Sequence, residues 1–279
     1  MKRNIKHFML AAIGIAALGF SACKESPITI PDLKTGNRRV LVEELTGVRC
    51  QNCPDGTREL ISLQKQYGSE NLVVVSIHAA QGSLSQPYTD APASAIDFRI
   101  QEAFELSDYI GVPDGVPTAA VNRIIPSGYT TPYLSRPWSG VIAGEFDKDY
   151  GLGLFLINEY KPETRELKIQ VNIAPEEALS GEHRLTVLMT QDSIVDVQLD
   201  GSTRKAAYIH RHVMRDVVSQ VSGDVISEPL SAGALISKFY TLTLPASWDA
   251  GHCSVVAFVH HGGNPDKEVL QVAEKHVVE

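Results

Sequence analysis

Positive charge is in short supply in this 279-residue chain: 25 Lys and Arg stand against 33 Asp and Glu, a formal net charge of -8. That balance argues against binding nucleic acid or anionic lipid through electrostatics, since both need a basic surface. Long apolar runs are scarce as well. The one between Phe8 and Phe20 falls short of the roughly 20 residues that a bilayer-spanning helix requires, and no later stretch is long and apolar enough to span. Internal repeats and low-complexity tracts are absent. Cysteine is sparse, with four residues, Cys23, Cys50, Cys53 and Cys253.

What is present begins with an export signal. Basic Lys2, Arg3 and Lys6 precede the apolar run, and small Ser21-Ala22 precede Cys23, the three parts of a cleavable leader. Residues 1–22 are therefore expected to be a signal peptide outside the fold. Small residues before a cysteine resemble the box read by lipoprotein signal peptidase, although Phe20 stands where Leu is usual. The resemblance implies lipid attachment at Cys23, with several acyl chains giving the firm anchoring that one chain does not. An ordinary secretory signal cut near Ala22 is the alternative, and it would leave an exposed thiol. Residues 23–37, starting Lys24-Glu25-Ser26-Pro27, read as a polar tether. Loss of the three basic residues in the leader takes the formal charge from -8 to -11.

With Cys23 acylated, three cysteines remain, an odd number for an exported protein. Cys253 sits in an apolar context, His252-Cys253-Ser254-Val255-Val256, which favours a buried inert thiol.

The length suggests two domains, 38–149 and 150–279. In the first, a β-rich run at 39–45 leads through Thr46-Gly47 to the cysteines. Leu60, Ile61, Leu63 and Tyr67 then fall at helical spacing up to Gly68. The run 71–78 is almost continuously apolar, as in a strand buried on both faces. Together these make a strand–helix–strand unit. The spacing predicts a loop at 81–92, a helix over 93–109, a strand at 118–123 and a closing helix within 133–148. Beyond residue 150 the pattern becomes strands and turns, at 152–158, 167–173, 183–191, 236–244, 253–261 and 269–276. Such spacing favours an antiparallel, immunoglobulin-like sandwich. Residues 208–221 read equally as a helix or a long strand.

Cys50-Gln51-Asn52-Cys53 is the motif with chemistry in it. At a strand-to-helix turn the first sulfur lies near the positive end of the helix dipole and near unpaired N–H groups, which favour thiolate. Cys50 is then the exposed nucleophile and Cys53 the resolving partner, with Arg49 adding positive charge. Pro54 suits an early helical position. Taken alone, the motif also serves zinc sites and structural disulfides.

The run Val40-Leu41-Val42-Glu43-Glu44-Leu45, the Cys50–Cys53 motif and Gly115-Val116-Pro117-Thr118 resemble the thioredoxin superfamily. That resemblance implies a cis Pro117 lying against the dithiol, and a buried acid, Glu44, moving protons for the second cysteine. A solvated strand-end carboxylate is the other reading of Glu44. Glu43, next to it, cannot share its face. Arg49 replaces the usual aromatic residue, and Gln51-Asn52 is not a familiar central dipeptide, so the direction of electron flow stays open. Thioredoxin-like copper chaperones suggest an alternative site from Cys50, Cys53 and His78, though their cysteines are usually spaced by three residues rather than two.

Nearly the whole chain resembles the outer-membrane lipoproteins related to the 28-kDa outer-membrane protein of Bacteroidetes. The features that carry the likeness are Cys23, the stretch from Glu44 to Pro54, Gly115-Val116-Pro117, Val121-Asn122-Arg123 and the β-rich second half. It implies an outer-membrane, lipid-anchored location on the periplasmic or cell-surface face.

The histidines at 210, 212, 252, 260 and 261 invite a metal assignment, but a closed site wants about four ligands, and neither a metal nor another cofactor is expected. Gly262-Gly263-Asn264-Pro265-Asp266 reads as a hairpin turn. Two functions follow. One is extracytoplasmic thiol–disulfide exchange with envelope protein thiols or disulfides. The other is a binding or assembly lipoprotein that uses the fold as a scaffold, with a static Cys50–Cys53 bridge.

Overall fold

The computed structural model describes residues 38–278 apart from Gln81, Val112, Asp149 and Tyr150. The expected leader and tether, with Cys23, lie outside the described residues.

The apolar run of β1 (Val40–Leu45) is buried along its length. α1 (Cys53–Tyr67) has Pro54 in its first turn and stops at Gly68, whose φ of 90° suits a residue without a side chain. β2 (Leu72–Ile77) lies parallel to β1. Then come α2 (Gln101–Ile110), β3 (Thr118–Val121), β4 (Tyr133–Leu134) and α3 (Ser139–Phe146). The second half runs β5 (Leu152–Lys161), β6 (Glu166–Pro175), β7 (His183–Gln191), β8 (Ile194–Asp200), β9 (Thr203–His210), β10 (Val213–Val217), β11 (Asp224–Val225), β12 (Ile236–Thr243), β13 (Cys253–His261) and β14 (Val269–His276).

The protein is mostly β, with few helices and a mixed main sheet. That sheet has the order β14-β13-β7-β10-β2-β1-β3-β4, with β11 pairing to β7. β3 runs antiparallel to β1. The sheet crosses the expected boundary near residue 150, because β10 joins β2 through Val213 and Ser76. A three-stranded sheet, β12-β6-β5, packs over the β7, β13 and β14 region.

Strand alternation decides which core each residue enters. Val40 and Val42 face α1 and α3, with Leu60, Trp138 and Ile142. Leu41 and Leu45 face α2, with Ala103, Leu106 and Ile110. In the second half Val187 and Met189 face the small sheet, while Leu188 joins the α2 side. By the same rule Glu43 and Glu44 point to opposite faces. Glu43 is clamped by Arg123 at 2.6 and 2.7 Å, both side chains fully buried.

Two local expectations need correction. The helix expected from residue 93 begins only at Gln101, because the Ala95 and Ile96 N–H groups donate to the Asp196 carboxylate at 3.1 and 2.8 Å. Residues bound in that way cannot also close helical hydrogen bonds. Residues 208–221 resolve into the end of β9, a turn at Arg211 and His212, and β10. Within 133–148, β4 comes before a shorter helix that starts at Ser139, after Pro137. The β8–β9 hairpin is a separate two-stranded sheet that the sequence reading missed.

Candidate functional site

Cys50 closes a tight turn by donating its N–H to Gly47 O at 3.0 Å, and Cys53 opens α1. The two are joined in a disulfide. Gly47 has a steric reason: a Cβ there would collide with the backbone carbonyl of Leu84. The neighbouring Arg49 N–H donates to that carbonyl at 2.8 Å, which ties residues 84–88 to the motif. The Arg49 guanidinium donates to Gln86 O and Pro87 O at 2.9 and 2.6 Å and lies 4.5 Å over the Tyr88 ring. Its charge is thus committed to the loop.

The expectation that Cys50 is exposed is overturned: it is 4% exposed, and Cys53 1%. The cover is the β8–β9 hairpin, some 150 residues further along the chain. Leu199 N–H donates to Val48 O and Gly201 N–H to Gln51 O, both at 2.8 Å. Gln198 Nε2 donates to Gly47 O and Cys50 O at 3.2 Å each.

Glu44 is fully buried, which removes the solvated reading. One carboxyl oxygen accepts from Ser76 Oγ at 3.2 Å, and the other, Oε1, has no partner. Burial pushes the carboxyl up from its ordinary 4.5 to about 8, partly opposed by the Ser76 hydrogen bond. It sits under α1 where Gly56 leaves room. A Cβ on Gly56 would lie 2.7 Å from Glu44 Oε1, 3.1 Å from Trp138 and 3.3 Å from Pro117. The Val116–Pro117 peptide is cis. Glu44 and Pro117 therefore meet beneath the first turn of the helix that Cys53 begins.

A chamber of about 10 Å³ adjoins Cys53, lined also by Ser76, His78, Gln198, Tyr208 and His210. That is room for about one water molecule. His78 Nδ1 and His210 Nε2 are buried there without partners. Burial lowers His78 to about 3 and His210 to about 4, which keeps both rings neutral near pH 7. The rings lie 5.9 Å apart, and Phe98 packs against each. His210 and Gln198 reach the site from the second half of the chain. Sequence spacing held no signal for that.

The other candidates lie apart. Cys253 is buried with its thiol pushed up to about 11, as desolvation disfavours a thiolate. His212 pairs with Gln64 at 3.0 Å, His260 with Thr186 at 3.0 Å, and His261 with Asp266 at 2.7 Å. Among the described residues, no three His, Cys, Asp or Glu side chains are grouped to hold a metal ion. Asn122 and Arg123 both have positive φ, 45° and 54°. Asn122 Oδ1 accepts from Leu41 N–H at 2.8 Å, so this pair locks the sheet rather than serving the dithiol.

Among solved structures, HBP35 of Porphyromonas gingivalis is similar with a TM-score of 0.68 at 17% identity, covering 88% of this chain and 77% of that one. At such identity the likeness speaks for the fold. A domain of the outer membrane lipoprotein Omp28 from Porphyromonas gingivalis aligns over 46% of this chain and 88% of its own, at 20% identity and a TM-score of 0.33. No curated protein matches the chain. Among described residues, no helix is long and apolar enough to cross a membrane. The family model of outer membrane protein Omp28 matches residues 103–279, from α2 onward and beyond the dithiol. The chain therefore belongs to the Omp28 family of outer membrane proteins.

Proposed function

We propose that this outer membrane protein is held by lipid at Cys23 and that residues 38–149 form a thioredoxin-like module whose Cys50–Cys53 pair exchanges disulfides with envelope proteins. Residues 150–279 supply a sandwich-like second part that shares the main sheet. Support for the module comes from the order β2-β1-β3-β4, with β1 and β2 parallel and β3 and β4 antiparallel, the helices on both faces and the bridge at the start of α1.

One observation carries the exchange reading. The bridge stands over a buried acid that has an unpartnered oxygen and an ionisation raised to about 8, beside a water-sized chamber. Unpaired buried polar atoms cost stability, and a purely structural bridge has no use for them. In the exchange, a partner thiolate attacks Cys50 Sγ, the Cys50–Cys53 bond breaks, and Cys53 leaves as thiolate. The Glu44 carboxyl, protonated below about pH 8, supplies a proton to Cys53 through the chamber. The partner's second thiol, losing its proton, attacks the mixed disulfide and releases Cys50. The partner ends oxidised by two electrons and the Cys50/Cys53 pair reduced, and the reverse sequence reduces a partner disulfide.

The test is a Cys53→Ala variant in intact cells. Mixed disulfides between Cys50 and envelope proteins are expected. No covalent adduct, together with no turnover of a thiol substrate by the wild-type protein, would end the exchange reading. Lipidation is checked separately by palmitate labelling, which Cys23→Ala should abolish.

Burial of both sulfurs beneath β8–β9 favours a second reading, a scaffold with a static bridge that binds partners through other surfaces. It expects a Cys50/Cys53 double serine variant to keep its partners. It also expects the wild-type couple to exchange slowly with glutathione at a strongly negative potential.

A further inference from the structure

We propose that the β8–β9 hairpin is a strap that closes the dithiol against protein partners, and that its outer half must lift before a partner reaches Cys50. The inference builds on the exchange reading and assigns a gate to that site.

The strap leaves the main sheet after β7 and returns to it at β10. Its ends are pinched together where His212 N–H donates to Asp192 Oδ1 at 2.8 Å. Between these points it pairs only with itself. Its base is well anchored. Ile194 is buried with Val48, Phe98 and Val213, Asp196 accepts from Ala95 and Ile96, and His210 packs on Phe98 with centroids 4.6 Å apart.

The outer half is held differently. Ladder register breaks between Asp196 and Gln198, and a bulge of this kind interrupts pairing and lets a strand bend. Beyond it, β8 lies along the turn that carries Cys50, its N–H groups and the Gln198 amide taking the carbonyls of residues 47, 48, 50 and 51. These are positions that an incoming extended peptide would need. The fastenings further out are polar and near solvent. Asp200 accepts from the Arg58 guanidinium at 3.2 Å, Arg204 pairs with Asp90 at 3.0 Å, and Arg204 lies 4.2 Å over Tyr88. Exposed ion pairs contribute little to stability, and Arg204 and Lys205 bury no apolar side chain beneath them. A hinge at residue 197, a firm base and a weakly fastened tip make local opening cheaper than unfolding.

The test uses the full-length protein in detergent, oxidised, with bacterial thioredoxin as the reductant. Thioredoxin's thiolate attacks Cys50 Sγ, Cys53 leaves and is protonated, and thioredoxin's second thiol, losing its proton, releases the mixed disulfide with two electrons transferred. The variant is Gln198→Ala/Arg204→Ala, with Arg58→Ala added in a triple variant. Amide exchange at Leu199 and Gly201 is followed in parallel. Reduction about tenfold faster than wild type, rising in step with amide exchange, is the expected result, since losing one or two net hydrogen bonds shifts an opening equilibrium by that order. Dithiothreitol, being small, should gain less from the same substitutions. Faster amide exchange with unchanged reduction by thioredoxin would overturn the proposal. Unchanged amide exchange in the triple variant would overturn it too, because these contacts would then not hold the strap. A strap variant that is reduced rapidly but forms no adduct with envelope proteins would sink the exchange reading and leave the strap standing.

Discussion

Replacing Glu44 by Gln removes a charge without changing shape, and the structure sets both the sign and size of the effect. In the folded protein the carboxyl ionises near 8, against an ordinary 4.5 when unfolded. Between those values the folded state holds a proton that the unfolded state has lost. Stability must therefore fall as pH rises through that window. Below it Glu44 is neutral in both states and resembles Gln. At pH 7 the wild-type protein should be roughly 3 kcal/mol less stable than Glu44→Gln, and above pH 8 roughly 5 kcal/mol less, at about 1.4 kcal/mol per tenfold change in proton affinity. Relaxation around the carboxylate will shrink both figures. The Arg136 and Glu59 charges act on Glu44 in opposite senses and largely leave burial in control. Urea denaturation of both oxidised proteins from pH 5 to 9 reads the difference, and a Tm gain of roughly 6–12 °C at pH 7 is the thermal equivalent. Subtraction matters, because Glu274, pushed up to about 7, adds a slope of the same sign, while the lowered His78 and His210 add the opposite one. Those contributions are common to both proteins. A difference that stays constant across pH 5 to 8 would refute the placement of Glu44 as a buried, protonated acid.

Three further outcomes follow from the packing. Cys253, fully buried with its thiol pushed up to about 11, should resist maleimide in the folded protein and react on denaturation, as read by mass spectrometry. Arg123→Met leaves Glu43 buried without its partner and should cost about 3–5 kcal/mol in urea denaturation, whereas the Glu43→Leu/Arg123→Met pair should recover most of that loss. Gly47→Ala forces the Leu84 carbonyl away from the turn. It should cost about 1–3 kcal/mol and raise amide exchange at Arg49, whose N–H bonds that carbonyl.

The site places the family relationship in an informative light. The Omp28 match begins at residue 103, so it spans the strap and omits the dithiol that the strap covers. Two parts of the chain with separate sequence signals thus meet at Cys50. The strap's fastenings to residues 47–51 join the second half of the chain to the motif as closely as β10 joins β2 in the sheet.

How much was legible follows from the range of each signal. Apolar periodicity and turn chemistry act over a few residues. They were enough for α1 and its end at Gly68, for β1 and β2, for most strands of the second half and for the placement of Cys50 and Cys53 at a helix start. Alternation alone separated Glu43 from Glu44. The helix expected from residue 93 failed because Asp196, about a hundred positions away, captures the amides of Ala95 and Ile96. No local pattern encodes that competition. Burial of Glu44 likewise depends on Gly56, Pro117 and Trp138 converging from three elements, and His210 meets His78 only because the hairpin folds back. The sequence by itself determined the dithiol, its helix and the alternation of the strands, since these are set by neighbours along the chain. Only the tertiary structure decided that the sulfurs are covered, that the acid is held neutral and that one sheet runs through both halves, because desolvation and strand pairing depend on groups brought together from far apart.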